Sequence, residues 1–227
     1  MKWGYNMLLI IDTETTGTDP GEVIELAYKE PSGPCTTRRY RPEKASSWGA
    51  LAVHHILPDE LIGCPPSTTA KLPDETQYII GHNVDFDWKV LGSPDVKRIC
   101  TLAIARALFP ELDSHKLGAM YYALKGPTEA TRTALRDAHT AEADVMFCEE
   151  ILSLMLELRA PNMQHCGVQA LWEFSEACRI PKTMTFGKHK GLPIKQLPLS
   201  YVAWMRGQPD MDEYVMKAIA LTFGARR

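Results

Sequence analysis

Met7-Leu8-Leu9-Ile10-Ile11-Asp12-Thr13-Glu14-Thr15-Thr16-Gly17 is an apolar run that ends abruptly in acids. Its length and composition predict a buried central strand over residues 7–12, with functional residues at the C-terminal edge. Side chains alternate between the faces of a strand, so Asp12 and Glu14 point the same way. Adjacent anions repel unless a cation lies between them, and hard divalent cations such as Mg²⁺ take oxygen ligands of this kind. Alone, the D-x-E pair suits a solvated acidic edge equally well. Thr15-Thr16-Gly17 adds a small-residue turn whose N–H groups can approach a sugar or phosphate, although Gly17 also serves a plain turn.

Working outward, residues 22–30 and 35–41 read as two further strands, separated by the turn signal Pro31-Ser32-Gly33-Pro34. Residues 50–56 and 58–62 predict short helices, and residues 64–73 a loop. A second buried strand is expected over 77–81, a helical turn or two over 86–91, and a short strand over 98–101. Helices follow over 102–108 and 114–124, and residues 126–136 read as polar and irregular. Residues 139–159 have the length and period of an amphipathic helix, with Val145, Cys148, Ile151, Leu152, Met155 and Leu158 on or near one face. Ala160-Pro161-Asn162 reads as a linker, which suggests a domain over 1–160 and a small module over 161–227. In that module helices are expected over 168–178, 199–206 and 211–221, with a β-like 183–186 before the turn Gly187-Lys188-His189-Lys190-Gly191. This order of elements predicts an α/β domain followed by a small α+β module.

Composition narrows the class. The 227 residues are 45% hydrophobic and 23% charged, as expected of a globular chain. No apolar run reaches the roughly 18 residues that span a bilayer, and no signal-peptide core follows Lys2. A soluble protein without membrane contact is expected. Its six cysteines form no C-x-x-C pair and read as free thiols; His165, Cys166 and Cys178 match no common zinc spacing. A net charge of −3 excludes a global basic field, but an enzyme that grips phosphate through metal ions concentrates acids at its site.

Two more constellations carry chemistry. Gly81-His82-Asn83-Val84-Asp85-Phe86-Asp87 follows the second buried strand and opens a helix. Asp87 or Asp85 can reach the same sheet edge, or each can serve the helix N-terminus. In His139-Thr140-Ala141-Glu142-Ala143-Asp144, a five-residue step on one helix separates His139 from Asp144 by about 140°. They converge if His139 lies on the loop before the helix, where an imidazole has the freedom and pKa of a general base.

In order, D-x-E, H-N-x-x-F-D and H-x-x-x-x-D resemble the DEDDh, DnaQ-like exonucleases, from about residue 7 to residue 158. Hallmark positions match at Asp12, Glu14, Asp87, His139 and Asp144, which favours Asp87 over Asp85. Thr185-Phe186-Gly187-Lys188-His189-Lys190-Gly191 and Tyr201-Val202-Ala203-Trp204-Met205 look like the C-terminal module of the exodeoxyribonuclease X group of that superfamily.

The resemblance implies an RNase H-like, mixed five-stranded sheet with flanking helices. It also implies two Mg²⁺ ions, replaceable by Mn²⁺, held by Asp12, Glu14, Asp87 and Asp144, with His139 as general base. The implied activity is 3′-to-5′ hydrolysis of single- or double-stranded DNA, releasing 5′-mononucleotides. Thr15, His54 and Phe86 stand near the terminal nucleotide in this reading, and a cytoplasmic setting in a bacterium or phage follows. The active-site acids leave an exoribonuclease or oligoribonuclease, or a polymerase proofreading subunit, open. A non-catalytic nucleic-acid-binding module is the reading from another class, and a homodimer is also open. Arg179, Lys182, Lys188, Lys190 and Lys195 occur without an acid from Arg179 to Gln196, a phosphate-tracking face or a merely solvated one.

Overall fold

The computed structural model describes residues 7–19, 21–136 and 140–224. β1 (Leu8–Thr15), β2 (Val23–Lys29) and β3 (Thr36–Arg39) form the expected antiparallel meander. α1 (Trp48–His54) starts at Ser47, whose Oγ accepts from the Ala50 N–H, and a 3₁₀ turn over Pro58–Leu61 follows. β4 (Tyr78–Gly81) leads into α2 (Asp85–Val90), and β5 (Lys97–Cys100) into α3 (Thr101–Leu108). Then come α4 (Leu117–Lys125), α5 (Glu129–Arg136), α6 (Ala141–Arg159), α7 (Val168–Arg179), α8 (Leu199–Met205) and α9 (Glu213–Phe223).

The strands make one sheet in the order β3-β2-β1-β4-β5, with β1 antiparallel to β2 and parallel to β4. This is the mixed five-stranded sheet, flanked by helices, that the family resemblance implies. Strand alternation sorts its faces. Leu9 and Ile11 of β1 join Leu26, Ile79, Val84 and Cys100 in a core that also receives Trp88 of α2. Leu8, Ile10, Asp12 and Glu14 therefore occupy the opposite face, toward α6, which packs on β1 and β2. Lys29, paired in register with Ile10, confirms this by its ion pair with Glu149 of α6. Burial of Val145, Cys148, Ile151, Leu152 and Met155 fastens α6 to the sheet, and truncating such a side chain to Ala typically costs about 2–5 kcal/mol.

Contacts divide the chain into two compact units, Met1–Ser175 and Glu176–Arg227, later in the sequence than the 160–162 linker. The second unit has its own core of Met184, Ile194, Leu197, Val202, Met205, Val215, Ala218 and Ile219. Asp212 caps α9 by accepting from the Tyr214 and Val215 N–H groups.

Three local readings change. Residues 126–136, expected to be irregular, contain α5, whose apolar face is only Ala130, Ala134 and Leu135, too small and short a stripe to stand out in a polar segment. Local bonds support it: Thr128 Oγ1 accepts from the Thr131 N–H, Glu129 lies in the first turn and Arg136 in the last. The β-like 183–186 yields one antiparallel bridge, Thr183 to Pro193, and no strand among the described residues. Gly187 and Gly191, at φ +69 and +85, fold the chain back at once, and Pro193 has no N–H to extend a ladder. Leu158, assigned to the buried stripe, is 58% exposed in the last turn of α6.

Candidate active site

The C-terminal end of β1 places Asp12 and Glu14 on the α6 face, opposite Ala27 and Glu25 of β2. α6 supplies Asp144 from its first turn, where Thr140 caps the helix by accepting from the Ala143 N–H. The start of the helix is what aims Asp144 at the strand end. One carboxylate oxygen from each of Asp12, Glu14 and Asp144 lies within 4.8 Å of the others.

Asp87 arrives from the other side of β1. Thr13, between the two acids, faces α2, and its N–H and Oγ1 both donate to Asp87 Oδ1, at 2.9 and 2.7 Å. Asp87 is buried, whereas Asp85 is half-buried and paired with Arg98, which lies over the Trp88 ring. The two aspartates thus have opposite orientations: Asp85 ties the helix surface, and Asp87 is held against β1.

Electrostatics agree with this crowding. Burial, then Asp87, Asp144 and Glu14, raise Asp12 well above the usual carboxylate range. Burial, then Asp144 and Glu25, push Glu14 up to about 8. Asp87 is lifted by burial to about 7, against the opposing pull of its bonds from Thr13. Hard oxygen donors, clustered and destabilised as anions, match what Mg²⁺ or Mn²⁺ requires. The residues present fit such ions.

Sequence reading missed several residues around the cluster. Glu25, in register with Glu14, is 3% exposed and accepts from Arg39 Nε at 2.8 Å and from the Ala141 N–H at 3.3 Å. It therefore ties β2, β3 and the start of α6 together behind Glu14. A lone acid in the apolar strand Val23–Lys29 was its available signal. His82 bridges Thr101 Oγ1 and the His115 carbonyl, and burial draws its pKa down to about 4, so it stays neutral. Beside Asp12 and Asp144 lies a cleft of about 640 Å³, also lined by His82, Asn83, Arg106 and Lys116. A second, of about 490 Å³, is bounded by Asp144, Lys116 and the α5 residues Arg132 and Arg136.

The remaining expected residues are placed as follows. Thr15 is buried at the bulge after Glu14 and donates its hydroxyl to the Gly17 carbonyl. His54 is 4% exposed; its Nδ1 accepts from the Ile56 N–H, while Nε2 is buried without a hydrogen-bond partner among the described residues. Such an atom suits a water or substrate group. Phe86 is half-buried in the first turn of α2. His139 lies outside the described residues.

A family model described as a putative quorum-sensing-regulated virulence factor matches residues 177–210, within the C-terminal module. Exodeoxyribonuclease 10 of Escherichia coli K12 is 26% identical over 213 residues, covering 90% of this chain and 92% of that protein. Exonuclease X, solved in complex with 5′-overhanging duplex DNA, superposes with a TM-score of 0.57 at 22% identity. That match covers 74% of this chain and 99% of the other. E. coli exonuclease I with a dA16 oligonucleotide gives 0.52 at 20% identity, over 77% of this chain and 44% of that one.

Proposed function

We propose that this chain, homologous to exodeoxyribonuclease 10 and built on the sheet of the DnaQ-like 3′–5′ exonucleases, hydrolyses the terminal phosphodiester at DNA 3′ ends and releases 5′-mononucleotides. The observation that carries the reading is the convergence of Asp12, Glu14 and Asp144 at one strand end. Asp87, oriented by Thr13, stands as the fourth acid. A non-catalytic binding module has no need to crowd these carboxylates at one strand end.

Asp12, Glu14 and Asp144 would hold divalent cations, Mg²⁺ in the cell, with Asp87 contributing from the α2 side. When bound, such ions supply an activated water and charge stabilisation on the scissile phosphate. Thr13 keeps Asp87 in place, and Glu25 keeps the α6 N-terminus against β2. Arg106 and Lys116 offer the cleft positive charge for the strand's phosphates. His139, just before α6 in sequence, is assigned the proton of the attacking water. Thr15, His54 and Phe86 are assigned to the terminal nucleotide, the buried Nε2 of His54 being the atom free to bond it. Among the described residues no helix is long and apolar enough to cross a membrane. On its likeness to the E. coli exodeoxyribonuclease we assign the protein, bacterial or phage-encoded, to the cytoplasm.

End-labelled DNA and RNA, incubated with Mg²⁺ and with EDTA, test the reading. Mononucleotides should leave the DNA 3′ end only with the metal. Preferential release from RNA would move the chain to the exoribonucleases, and no release from either would overturn the reading.

A further inference from the structure

The second unit presents a face that the acid cluster does not use. Of the five cations between Arg179 and Gln196, the structure removes one: Arg179 pairs with Glu176 and lies over the Tyr214 ring. Lys182, Lys188, Lys190 and Lys195 are exposed, without an ion pair among the described residues.

The tight turn Gly187–His189 is seated on an aromatic ring. A Cβ on Gly187 would stand 3.1 Å from the Tyr201 hydroxyl, and the residue's φ of +69° also favours glycine. His189 meets Tyr201 edge-on at 4.4 Å, and Lys188 Nζ lies 5.7 Å from the same ring centre. On α8, Trp204 stacks on Tyr201 with centres 5.3 Å apart and planes 26° apart, yet stays 51% exposed. Phe186, entering the turn, is also partly exposed.

We propose that this face binds a single-stranded stretch of nucleic acid, bases stacking on Trp204 and phosphates meeting Lys188 and Lys190. Every base has a π-face, so an exposed indole held rigid by Tyr201 is a sequence-tolerant platform, and unpaired lysines beside it match a phosphate backbone. Protein-binding patches are depleted in lysine at their centres, whereas here Lys188 sits at the aromatic pair. The identity of the strand as DNA rests on the exonuclease reading; the stacking platform does not.

The test is binding of a single-stranded DNA 30-mer to the full chain in EDTA, by anisotropy across a salt series. Trp204→Ala should weaken binding about 5- to 100-fold with an unchanged salt slope, and Trp204→Phe should recover most of the loss. Lys188→Ala with Lys190→Ala should lower the slope by about 1.4, at roughly 0.7 per lost phosphate contact. A general folding defect would not separate affinity from slope in this way, and thermal unfolding of each variant monitors it. If both variants keep the wild-type affinity and slope, the proposal is wrong. If they keep DNA binding and instead lose self-association by sedimentation, the face is a protein contact and the proposal is equally wrong. Mononucleotide release is scored separately: cleavage with unaffected binding refutes only the platform, and platform binding without cleavage refutes only the exonuclease reading.

Discussion

Replacing Glu14 by Gln should stabilise the metal-free protein while disabling it. Folding lifts the Glu14 carboxyl from 4.5 to about 8. A raised carboxyl means that the folded state binds the proton more tightly. Its contribution is thus fully present below pH 4.5 and is lost as pH climbs toward 8. At pH 7 the unfolded chain ionises Glu14 freely and the folded one does not; at about 1.4 kcal/mol per pH unit the penalty is about 3 kcal/mol. Gln has nearly the same shape and no charge, so it removes the penalty. Allowing for relaxation of the site, a gain of about 1–3 kcal/mol corresponds to roughly 2–10 °C in the unfolding midpoint of a chain this size. Unfolding followed by circular dichroism in EDTA should show this gain at pH 7–8 and only a remnant near pH 5. Excess Mg²⁺ should stabilise wild type more than the variant, because binding to the folded state alone raises stability and the variant has lost a ligand. A variant no more stable than wild type at pH 8 in EDTA, or equally stabilised by Mg²⁺, would refute the idea that burial and repulsion at this strand end are what a cation relieves.

Three further outcomes follow from the same site. Asp12→Ala and Asp144→Ala should each abolish mononucleotide release while leaving a cooperative unfolding transition; wild-type rates in either would remove that residue from the cluster. His139→Ala should lower turnover by roughly 10²–10⁴-fold and alter the acidic limb of the pH–rate profile, with Mg²⁺ binding by calorimetry nearly unchanged. Thr13→Val removes the 2.7 Å bond to Asp87 Oδ1, worth about 1.5–3 kcal/mol for a charged acceptor. Asp87 loses a group that favours its ionised form, so activity should shift to higher pH; an unmoved pH profile would show that Thr13 does not set the acid.

The sequence by itself determined the hub of this protein. Apolar 8–11 followed by Asp12 and Glu14 reads as a buried strand with an acidic end, and on a strand alternation gives the two acids a shared direction. The three motifs in order were also legible, since each is a short local pattern next to an element boundary. What the sequence left open depended on distances between segments far apart in the chain. The motif resemblance favours Asp87 over Asp85 without a physical reason; the packing of α2 against β1, with Thr13 donating to Asp87 and Arg98 claiming Asp85, supplies one. Glu25 read as one more strand residue until β2 brought it beside Glu14 and α6 lowered its first N–H onto it. α5 escaped because its helical period is carried over eight residues by two alanines and Leu135, too little apolar surface to stand out in a polar stretch. Likewise, the basic run after Arg179 was visible as charge, but only the fold of the second unit put Trp204 on Tyr201 beside Lys188 and took Arg179 away to Glu176. Local periodicity and alternation act within a few residues and are written in the sequence; carboxylate pairing, ring stacking and ion pairing act through space, and the tertiary structure decides them.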